Sequence, residues 1–580
     1  MRRLLLPCVA LFLFAFTFNA AAQKAGLTSD DQEWVRQTMA GMTMDEKIGQ
    51  MICPALSAVF TNVESETFQE IQRNIVEFHV GGYHAFAGEP AALALLLNRM
   101  QELARVPLMI TGDLEGGPGL VYAGATRLPR AMALGATGNE ELAHQAGKIT
   151  AVEGRALGIA IDFYPVVDVN NNPANPIINI RSFGEDPALV SRMAAAYIRG
   201  VQENGEIATA KHFPGHGDTS TDSHLGMPVM DFSRERLNQI ELPPFQTSIA
   251  AGVGAIMVGH IGLPQLETET GIPATLSRTM VTGVLRSDLH FGGMVFTDAM
   301  DMQGVAAHFT PEQAAVRAVK AGIDVILLPV SVERTFNGLK RAVASGNISS
   351  ARIDESVQRI LEAKARLGLN TKRTIDVSEL DSILGSAEHK RSAQTMIEQA
   401  ITLVRDEKSA VPLKLGDNQR VLIVTIMDSA SGWRDGTPGQ AFRQEFVKKH
   451  RNTISVQVDE RTSRDALEIL KKLADACDVV VANSFIRIAA YKGSVALNEG
   501  QLDLLEYLAK LPKPAVFSVF GSPYLLHFVP DLPSYLLTYE YYPEAERAAA
   551  RAMLGVTPIG GKLPVSLPGL YPIGAGISRR

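Results

Sequence analysis

The chain has 580 residues, of which 46% are hydrophobic, so it is too long for one compact core and too apolar to be disordered. Two folded domains are therefore expected. The net charge of −7 lacks the basic excess that binding to a phosphate backbone requires, which argues against a nucleic-acid partner.

The N-terminus is typical of a secretory signal. A short basic region, residues 1–3, precedes an apolar stretch over residues 4–18, and three alanines at 20–22 precede Gln23. This pattern predicts a signal peptide over residues 1–22 and export of the mature protein, to the periplasm or out of the cell. No later segment is long and apolar enough for a membrane span, so none is expected after cleavage.

After such cleavage two cysteines remain, Cys53 and Cys477. Each has apolar neighbours, and the two are far apart in the chain. We therefore predict two buried free thiols that lie in different domains, not a disulfide.

Residues 50–330 alternate short β-type runs with amphipathic or Ala-rich stretches. The runs that we interpret as strands are 81–86, 107–112, 158–165, 207–210, 254–259, 294–297 and 323–328. Polar residues cluster where these runs end, and chemistry at the carboxyl ends of strands is what a (β/α)8 barrel requires. We predict a TIM-type (β/α)8 barrel over residues 23–369, with an open doubly wound sheet as the alternative. Thr43 and Glu46 fit a capping box, and Thr310 fits an N-cap.

A second α/β unit is predicted after a polar linker at 370–395. Its β-rich runs are 421–426, 478–482, 515–520 and 535–539, and the segments between them have helical periodicity. This alternation predicts an α/β sandwich domain of the doubly wound type over residues 396–580. It contains neither a Gly-x-Gly-x-x-Gly turn nor a P-loop, so no nucleotide or other cofactor is expected.

The densest group of ionisable residues lies at 211–224. Breaking a glycosidic bond needs a proton donor for the leaving oxygen and a nucleophile or base at the anomeric carbon. Asp222 and His224 lie in a Gly-rich loop and could form a dyad in which the carboxylate orients the imidazole that transfers the proton. Asp298 directly follows the apolar run 294–297 and would stand at a strand end as the nucleophile.

The same residues allow simpler interpretations. Asp298 could be only a helix cap. His212, His216 and His224, interleaved with aspartates, also suit a zinc site, although their spacing matches neither a His-x-His nor a His-Glu-x-x-His pattern. From the residues alone, a metal site therefore stays open beside a glycosidase site.

Residues 211–228, KHFPGHGDTSTDSHLGMP, resemble the signature of glycoside hydrolase family 3, in its branch of β-N-acetylglucosaminidases. The likeness covers most of the first domain, because it extends to 42–50 (MTMDEKIGQ), 113–117 (DLEGG), 181–187 (RSFGEDP) and 296–300 (FTDAM). The predicted second domain is also similar to that of two-domain members.

This resemblance implies a retaining mechanism without a metal. Asp298 matches the nucleophile that forms a covalent glycosyl intermediate, and His224 with Asp222 matches the acid/base dyad. The residues that match holders of the sugar hydroxyls and the acetamido group are Asp113, Arg181, Lys211 and His212. We interpret Glu115 and Glu185 as braces of their loops, and Asp168 and His260 as possible walls of the pocket.

Two features differ between branches of the family. Other branches take the acid from a Glu of the second domain, but residues 484–497 contain no acidic residue here. The resembled branch usually has arginines after the glycine pair, whereas this chain continues Pro-Gly-Leu-Val at 118–121. Arg127 or Arg130 could approach the sugar from further along, so substrate choice at that edge stays open.

The predicted function is therefore an exported, retaining exo-β-N-acetylglucosaminidase that acts on cell-wall (peptidoglycan) fragments or related glycans. Two alternatives are enzymes of the same family, namely a β-glucosidase or xylosidase and a phosphorylase. A third is a non-catalytic glycan-binding protein. The sequence does not determine the oligomeric state.

Overall fold

The computed structural model describes residues 26–221, 223, 226–433, 436–488 and 497–580. The predicted signal peptide lies outside these residues. So do Asp222 and His224 of the predicted dyad, and residues 489–496 of the segment without acidic residues.

The first domain is built on parallel strands that follow one another around a ring. Strands β2 to β8 form one sheet in chain order, and β1 pairs with β9. A bridge from Phe296 to Val325 joins β8 to the segment leading into β9, so the ring closes. The strands are β1 Ile52–Cys53, β2 Ala55–Ala58, β3 Gly82–Gly88, β4 Met109–Gly112, β5 Ile161–Asp162, β6 Ile207–Phe213, β7 Ala255–Val258, β8 Met294–Thr297 and β9 Ile326–Leu327. The predicted barrel is confirmed, and Pro54 divides its first strand into β1 and β2.

Helices connect these strands on the outside of the ring. The α-helices are Ser29–Ala40, Met44–Gln50, Glu66–Val76, Pro90–Leu103, Ala131–Thr137, Glu140–Ala156, Pro187–Gln202, Arg234–Arg236, Leu242–Ala250, Gln303–Ala306, Pro311–Ala321, Val332–Ala344 and Ser350–Arg366. Leu237–Glu241 and Thr279–Asp288 are π-helical. The predicted capping box is confirmed, because Thr43 Oγ1 accepts from Glu46 N–H at 3.2 Å and the Glu46 carboxylate accepts from Thr43 N–H at 2.7 Å. Thr310 caps its helix as predicted.

The second domain is a six-stranded sheet flanked by helices. Its strand order is β10-β15-β14-β13-β11-β12, and every neighbouring pair is parallel except β10 with β15. The strands are β10 Thr402–Asp406, β11 Val421–Met427, β12 Thr453–Val458, β13 Val479–Ile486, β14 Ala515–Gly521 and β15 Ser534–Leu537. The helices are Ala387–Ala400, Gln440–Val447, Arg464–Ala476, Glu499–Ala509 and Pro543–Met553; the short helix Leu380–Ile383 precedes them and packs against the barrel helix Glu140–Ala156. This architecture confirms the predicted α/β domain.

The stretch predicted as a linker contains a helix that belongs to both cores. Residues 370–395 have no strand, as expected, but Ala387–Ala400 begins within them. On this helix Met396 packs into the hydrophobic core of the barrel, whereas Ile397 packs into that of the second domain. The boundaries at 369 and 396 remain predictions, because one helix joins the two cores.

The domain interface combines apolar packing with a buried ion pair. Met132, Ala133 and Ala136, on the barrel-domain helix Ala131–Thr137, lie in the hydrophobic core of the second domain. Glu540 is fully buried and accepts from the backbone N–H of Arg130 at 2.5 Å and from its guanidinium at 2.7 Å. The two domains are therefore packed together by side chains of both.

Cys53 and Cys477 are both buried and free, as predicted. They lie in β1 and just before β13, one in each domain. Within the part of the chain that the structure describes, no helix is both long and apolar enough to cross a membrane.

Asp162, at the end of β5, and Glu206, just before β6, are two buried carboxyl groups. Burial raises the pKa of Asp162 to about 8, although Tyr197 Oη and the N–H of Leu114 donate to its carboxyl group at 2.9 and 3.1 Å. Burial also raises the pKa of Glu206 well above its usual range. Because the folded-state pKa of Asp162 lies above its unfolded value, its protonation stabilises the fold fully below about pH 4, and this contribution is lost as the pH rises to about 8.

We expect Asp162→Asn to remove this pH dependence, because the amide is neutral and can still accept from Leu114. The free energy of unfolding of the variant minus that of wild type should be larger at pH 9 than at pH 4. The increase should be about 1–3 kcal/mol. Thermal or urea unfolding at both pH values measures this difference. Asp503→Asn, at an exposed position, is the control and should change neither value. A variant that gains nothing at pH 9 relative to pH 4 would show that the fold does not raise the pKa of Asp162.

Candidate active site

The carboxyl ends of β6, β7 and β8 lie side by side at one end of the barrel. Phe213 in β6 pairs with Val258 in β7, and Val258 pairs with Thr297 in β8. The backbone N–H of Asp298 donates to Val258 O at 2.9 Å. This register brings His212, His260 and Asp298 to the same level, because each lies within two residues of the paired positions.

A charged network joins three of the four residues that we predicted to bind sugar. Lys211 Nζ lies 2.7 Å from Asp113 Oδ1 and 2.9 Å from Glu115 Oε1. Arg181 donates to both oxygens of Glu115, at 2.7 and 2.8 Å. Glu115, interpreted from the sequence as a brace, is thus the centre of the network.

The network keeps its members charged. Burial favours neutral Glu115, but Arg181 and Lys211 outweigh it and hold the pKa of Glu115 well below its usual range. Burial likewise disfavours the Lys211 cation, but Asp113 and Glu115 raise its pKa above the usual value. Asp113 is the accessible member, since 47% of its side chain is exposed whereas that of Lys211 is 4% exposed. Asp113 is therefore the carboxylate that a ligand can reach.

His212 is held in place by Asp168, which is fully buried. Asp168 Oδ2 lies 2.8 Å from His212 Nδ1, and Asp168 Oδ1 accepts from the backbone N–H of His212 at 3.2 Å and of His216 at 2.7 Å. A carboxylate at Nδ1 keeps that nitrogen protonated, so Nε2 is the nitrogen that can contact a ligand. Asp168 thus orients the His212 ring through its Nδ1.

Asp298 occupies the position expected of a nucleophile. Burial acts to raise its pKa, but His212, His260 and the Ala299 N–H, which donates to Oδ1 at 2.8 Å, outweigh burial and leave the pKa below its usual value. The group is therefore a carboxylate at neutral pH, the form that attacks an electrophilic carbon. Its side chain remains partly accessible at the strand end.

Two more histidines border Asp298 and His212. His260 lies 2.8 Å from Thr275 Oγ1 through Nδ1 and 2.9 Å from Ala299 O through Nε2, so it forms part of the wall beside Asp298. His216 is buried, with its ring centroid 5.8 Å from that of His212. Burial, together with His212, lowers the pKa of His216 to about 4, so this imidazole is neutral at pH 7.

Arg127 and Arg130 lie at the domain interface. Arg130 pairs with Glu540 and lies 5.0 Å over the ring of Tyr541. Arg127 lies 5.1 Å over the ring of Tyr542. These contacts are with the second domain.

Among the described residues, no three His, Cys, Asp or Glu side chains are grouped so that they could hold a metal ion. Asp222 and His224 lie outside the described residues, so their roles remain predictions. The structure brings together the other five predicted site residues, in the network of Asp113, Arg181 and Lys211 and at the neighbouring strand ends of His212 and Asp298.

Sequence analysis missed the central place of Glu115 in this network and the contact of His84 with Asp113. His84 Nε2 lies 3.5 Å from Asp113 Oδ2, and Nδ1 lies 3.0 Å from Thr111 Oγ1. The sequence signal that could have identified His84 was its position in a strand. His84 lies in β3, next to β4, and β4 ends just before Asp113. Residues in register on neighbouring parallel strands meet at the same level of the barrel.

The chain is similar to known glycoside hydrolases. The family model described as "Glycosyl hydrolase family 3 N terminal domain" matches residues 43–363. A protein of Cellulomonas fimi named "Beta-N-acetylglucosaminidase/beta-glucosidase" is 31% identical over 565 residues, covering 94% of this chain and 98% of that protein.

Solved structures give the same picture for the whole chain. A family 3 β-N-acetylglucosaminidase from Paenibacillus sp. str. FPU-7 is 33% identical, with a TM-score of 0.80 over 91% of this chain and 99% of the other. A β-glucoside phosphorylase, BglX, is 26% identical, with a TM-score of 0.82 over 94% and 97% of the two chains. Both likenesses cover the barrel and the α/β domain together.

Proposed function

We propose that this chain catalyses the retaining, exo-acting hydrolysis of terminal β-linked GlcNAc. The chain belongs to family 3 of the glycosyl hydrolases and is a β-N-acetylhexosaminidase. The observation that carries this proposal is the ionised Asp298 at the end of β8, level with His212 and close to a network of two cations and two carboxylates. A glycosidase needs such a nucleophile beside groups that fix the sugar.

In the proposed mechanism Asp298 attacks the anomeric carbon and forms a covalent glycosyl ester as the aglycone oxygen departs. His224, charged and oriented by Asp222, gives its proton to that oxygen and then removes a proton from the water that cleaves the ester. Asp113, Arg181, Lys211 and His212 would bind the sugar hydroxyls and the acetamido group. An imidazole suits the proton transfer, because it places no second anion beside the Asp298 carboxylate.

The natural substrate that we propose is a cell-wall (peptidoglycan) fragment or related glycan. This assignment rests on the predicted signal peptide, which would bring the enzyme to the periplasm or the cell exterior. The named activities of the Cellulomonas fimi and Paenibacillus relatives support GlcNAc as the sugar. The likeness to a β-glucoside phosphorylase makes phosphate as acceptor a second candidate.

Initial rates with an aryl β-GlcNAc and the matching aryl β-glucoside, each with and without phosphate, test the proposal. We expect faster turnover of the GlcNAc substrate, release of free GlcNAc in the β configuration, and no acceleration by phosphate. A faster glucoside would contradict the sugar assignment. Formation of GlcNAc 1-phosphate would contradict hydrolysis and favour phosphorolysis.

A further inference from the structure

The loop after β6 is held firmly at its start. The N–H of His216 donates to Asp168 at 2.7 Å, and the fully buried Asn175 donates through Nδ2 to the carbonyls of His216 and Gly217 at 3.0 and 2.9 Å. Beyond this point Thr219 Oγ1 accepts from Thr221 N–H at 3.1 Å, a contact within the loop itself. Asp218 therefore lies where the loop leaves the body of the barrel.

Asp218 is tied to the barrel by Arg236. One guanidinium nitrogen of Arg236 lies 3.1 Å from Asp218 Oδ2 and 3.1 Å from Glu241 Oε1. Glu241 is 3% exposed, and its side chain lies against Gly215, where an added Cβ would be 2.8 Å from Glu241 Cβ and Cγ. Arg236 and Glu241 thus hold both ends of the segment 215–218.

Arg236 is itself well placed for this contact. Its helix, Arg234–Arg236, is capped by Ser233, and its guanidinium lies 4.8 Å over the ring of Phe232. A surface ion pair alone would contribute little, but this one includes a buried carboxylate that would lose its cation if Arg236 were removed. Arg234 on the same helix pairs instead with Asp288 at 2.6 Å.

We propose that Arg236 is a positioning residue for the acid/base step, because it fixes the point from which the loop carries Asp222 and His224 to the leaving oxygen. This inference rests on the proposed function. His224 is six residues beyond Asp218 in the chain, so a displacement of Asp218 would also displace the loop that carries the proposed dyad. An error of about 1 Å at a catalytic group can cost about 100-fold in rate.

Leaving-group dependence is the measurement that separates positioning from a general structural role. N,N′-diacetylchitobiose has a sugar leaving group that needs a proton, whereas 2,4-dinitrophenolate departs as an anion. We expect Arg236→Gln to lower kcat/KM for the disaccharide by about tenfold or more, and for 2,4-dinitrophenyl β-GlcNAc by less than about threefold. His224→Ala should show the same selectivity with a larger ratio.

Arg234→Gln is the matched control, since it removes an arginine from the same short helix without touching Asp218, and both rates should stay unchanged. Asp218→Asn removes the negative charge of the ion pair from the other side and should reproduce the selective loss. The double variant should be no worse than Arg236→Gln alone, because that change already removes the contact with Asp218. If Arg236→Gln does not fold, as judged by its melting curve, Asp218→Asn alone decides.

Two outcomes would overturn the inference in distinguishable ways. Equal losses on both substrates in Arg236→Gln and Asp218→Asn, with His224→Ala still selective, would make Arg236 a purely structural residue. A His224→Ala variant without leaving-group selectivity would overturn the proposed dyad, and the inference with it.

Discussion

Asp298→Asn is expected to lower kcat on aryl β-GlcNAc by about 1,000-fold or more while leaving sugar binding measurable. The amide has nearly the same shape and can still accept from the Ala299 N–H, but it cannot attack the anomeric carbon. Turnover is measured by release of the aryl group, and binding of GlcNAc is measured by calorimetry. Loss of both would indicate a folding defect and not the removal of a nucleophile.

The control is Asp503→Asn, because Asp503 is exposed on the second-domain helix Glu499–Ala509. This variant should keep wild-type turnover within about threefold. A 2-fluoro or 5-fluoro sugar provides an independent test, because it should trap the glycosyl ester on the peptide that contains Asp298. Unchanged activity in Asp298→Asn, or a label on another peptide, would remove Asp298 from the mechanism.

The second large effect is expected at Asp168. In Asp168→Asn the amide oxygen can still accept from one or both backbone N–H groups, but its NH2 group would face His212 Nδ1. The imidazole would then have to accept at Nδ1 and carry its proton on Nε2, the nitrogen that faces the site. We expect kcat/KM on aryl β-GlcNAc to fall by about 10- to 100-fold.

The melting curve distinguishes this effect from a loss of structure. A change of the His212 tautomer alone should lower kcat/KM while the variant still unfolds in one cooperative transition, whereas a folding defect would remove that transition. Asp186→Asn is a control at an N-cap remote from His212, where the side chain accepts from Ala188 and Leu189. An Asp168→Asn enzyme with the wild-type kcat/KM would mean that the His212 tautomer is irrelevant to catalysis.

Strands buried in the middle of each sheet could be predicted from their apolar runs, whereas strands at interruptions and edges could not. The first barrel strand was missed because Pro54 divides Ile52–Cys53 from Ala55–Ala58, leaving two short pieces. In the second domain the two missed strands, Thr402–Asp406 and Thr453–Val458, lie at the two edges of the sheet. Edge strands have one unpaired side, so their sequences need not be continuously apolar.

The site could be predicted where a residue lies within a long motif, as Lys211, His212 and Asp298 do. Arg236 and Asp168 act through contacts with residues far along the chain or on another strand, and nothing in their local sequence indicates those partners. The partners of Glu115, which we interpret as a brace, could not be predicted for the same reason, since Arg181 and Lys211 lie 66 and 96 positions away. Such partners become visible only once the fold brings the strand ends together.

The helix Ala131–Thr137 also matters for how the chain folds as it is made. Synthesis completes the barrel sequence, to about residue 366, before any strand of the second domain exists. Until then Met132, Ala133 and Ala136 have no core to enter, and Arg130 has no Glu540. The nascent enzyme therefore passes through a stage in which an apolar helix face is exposed. Such a surface promotes aggregation or chaperone binding, and it is buried only when the second domain docks.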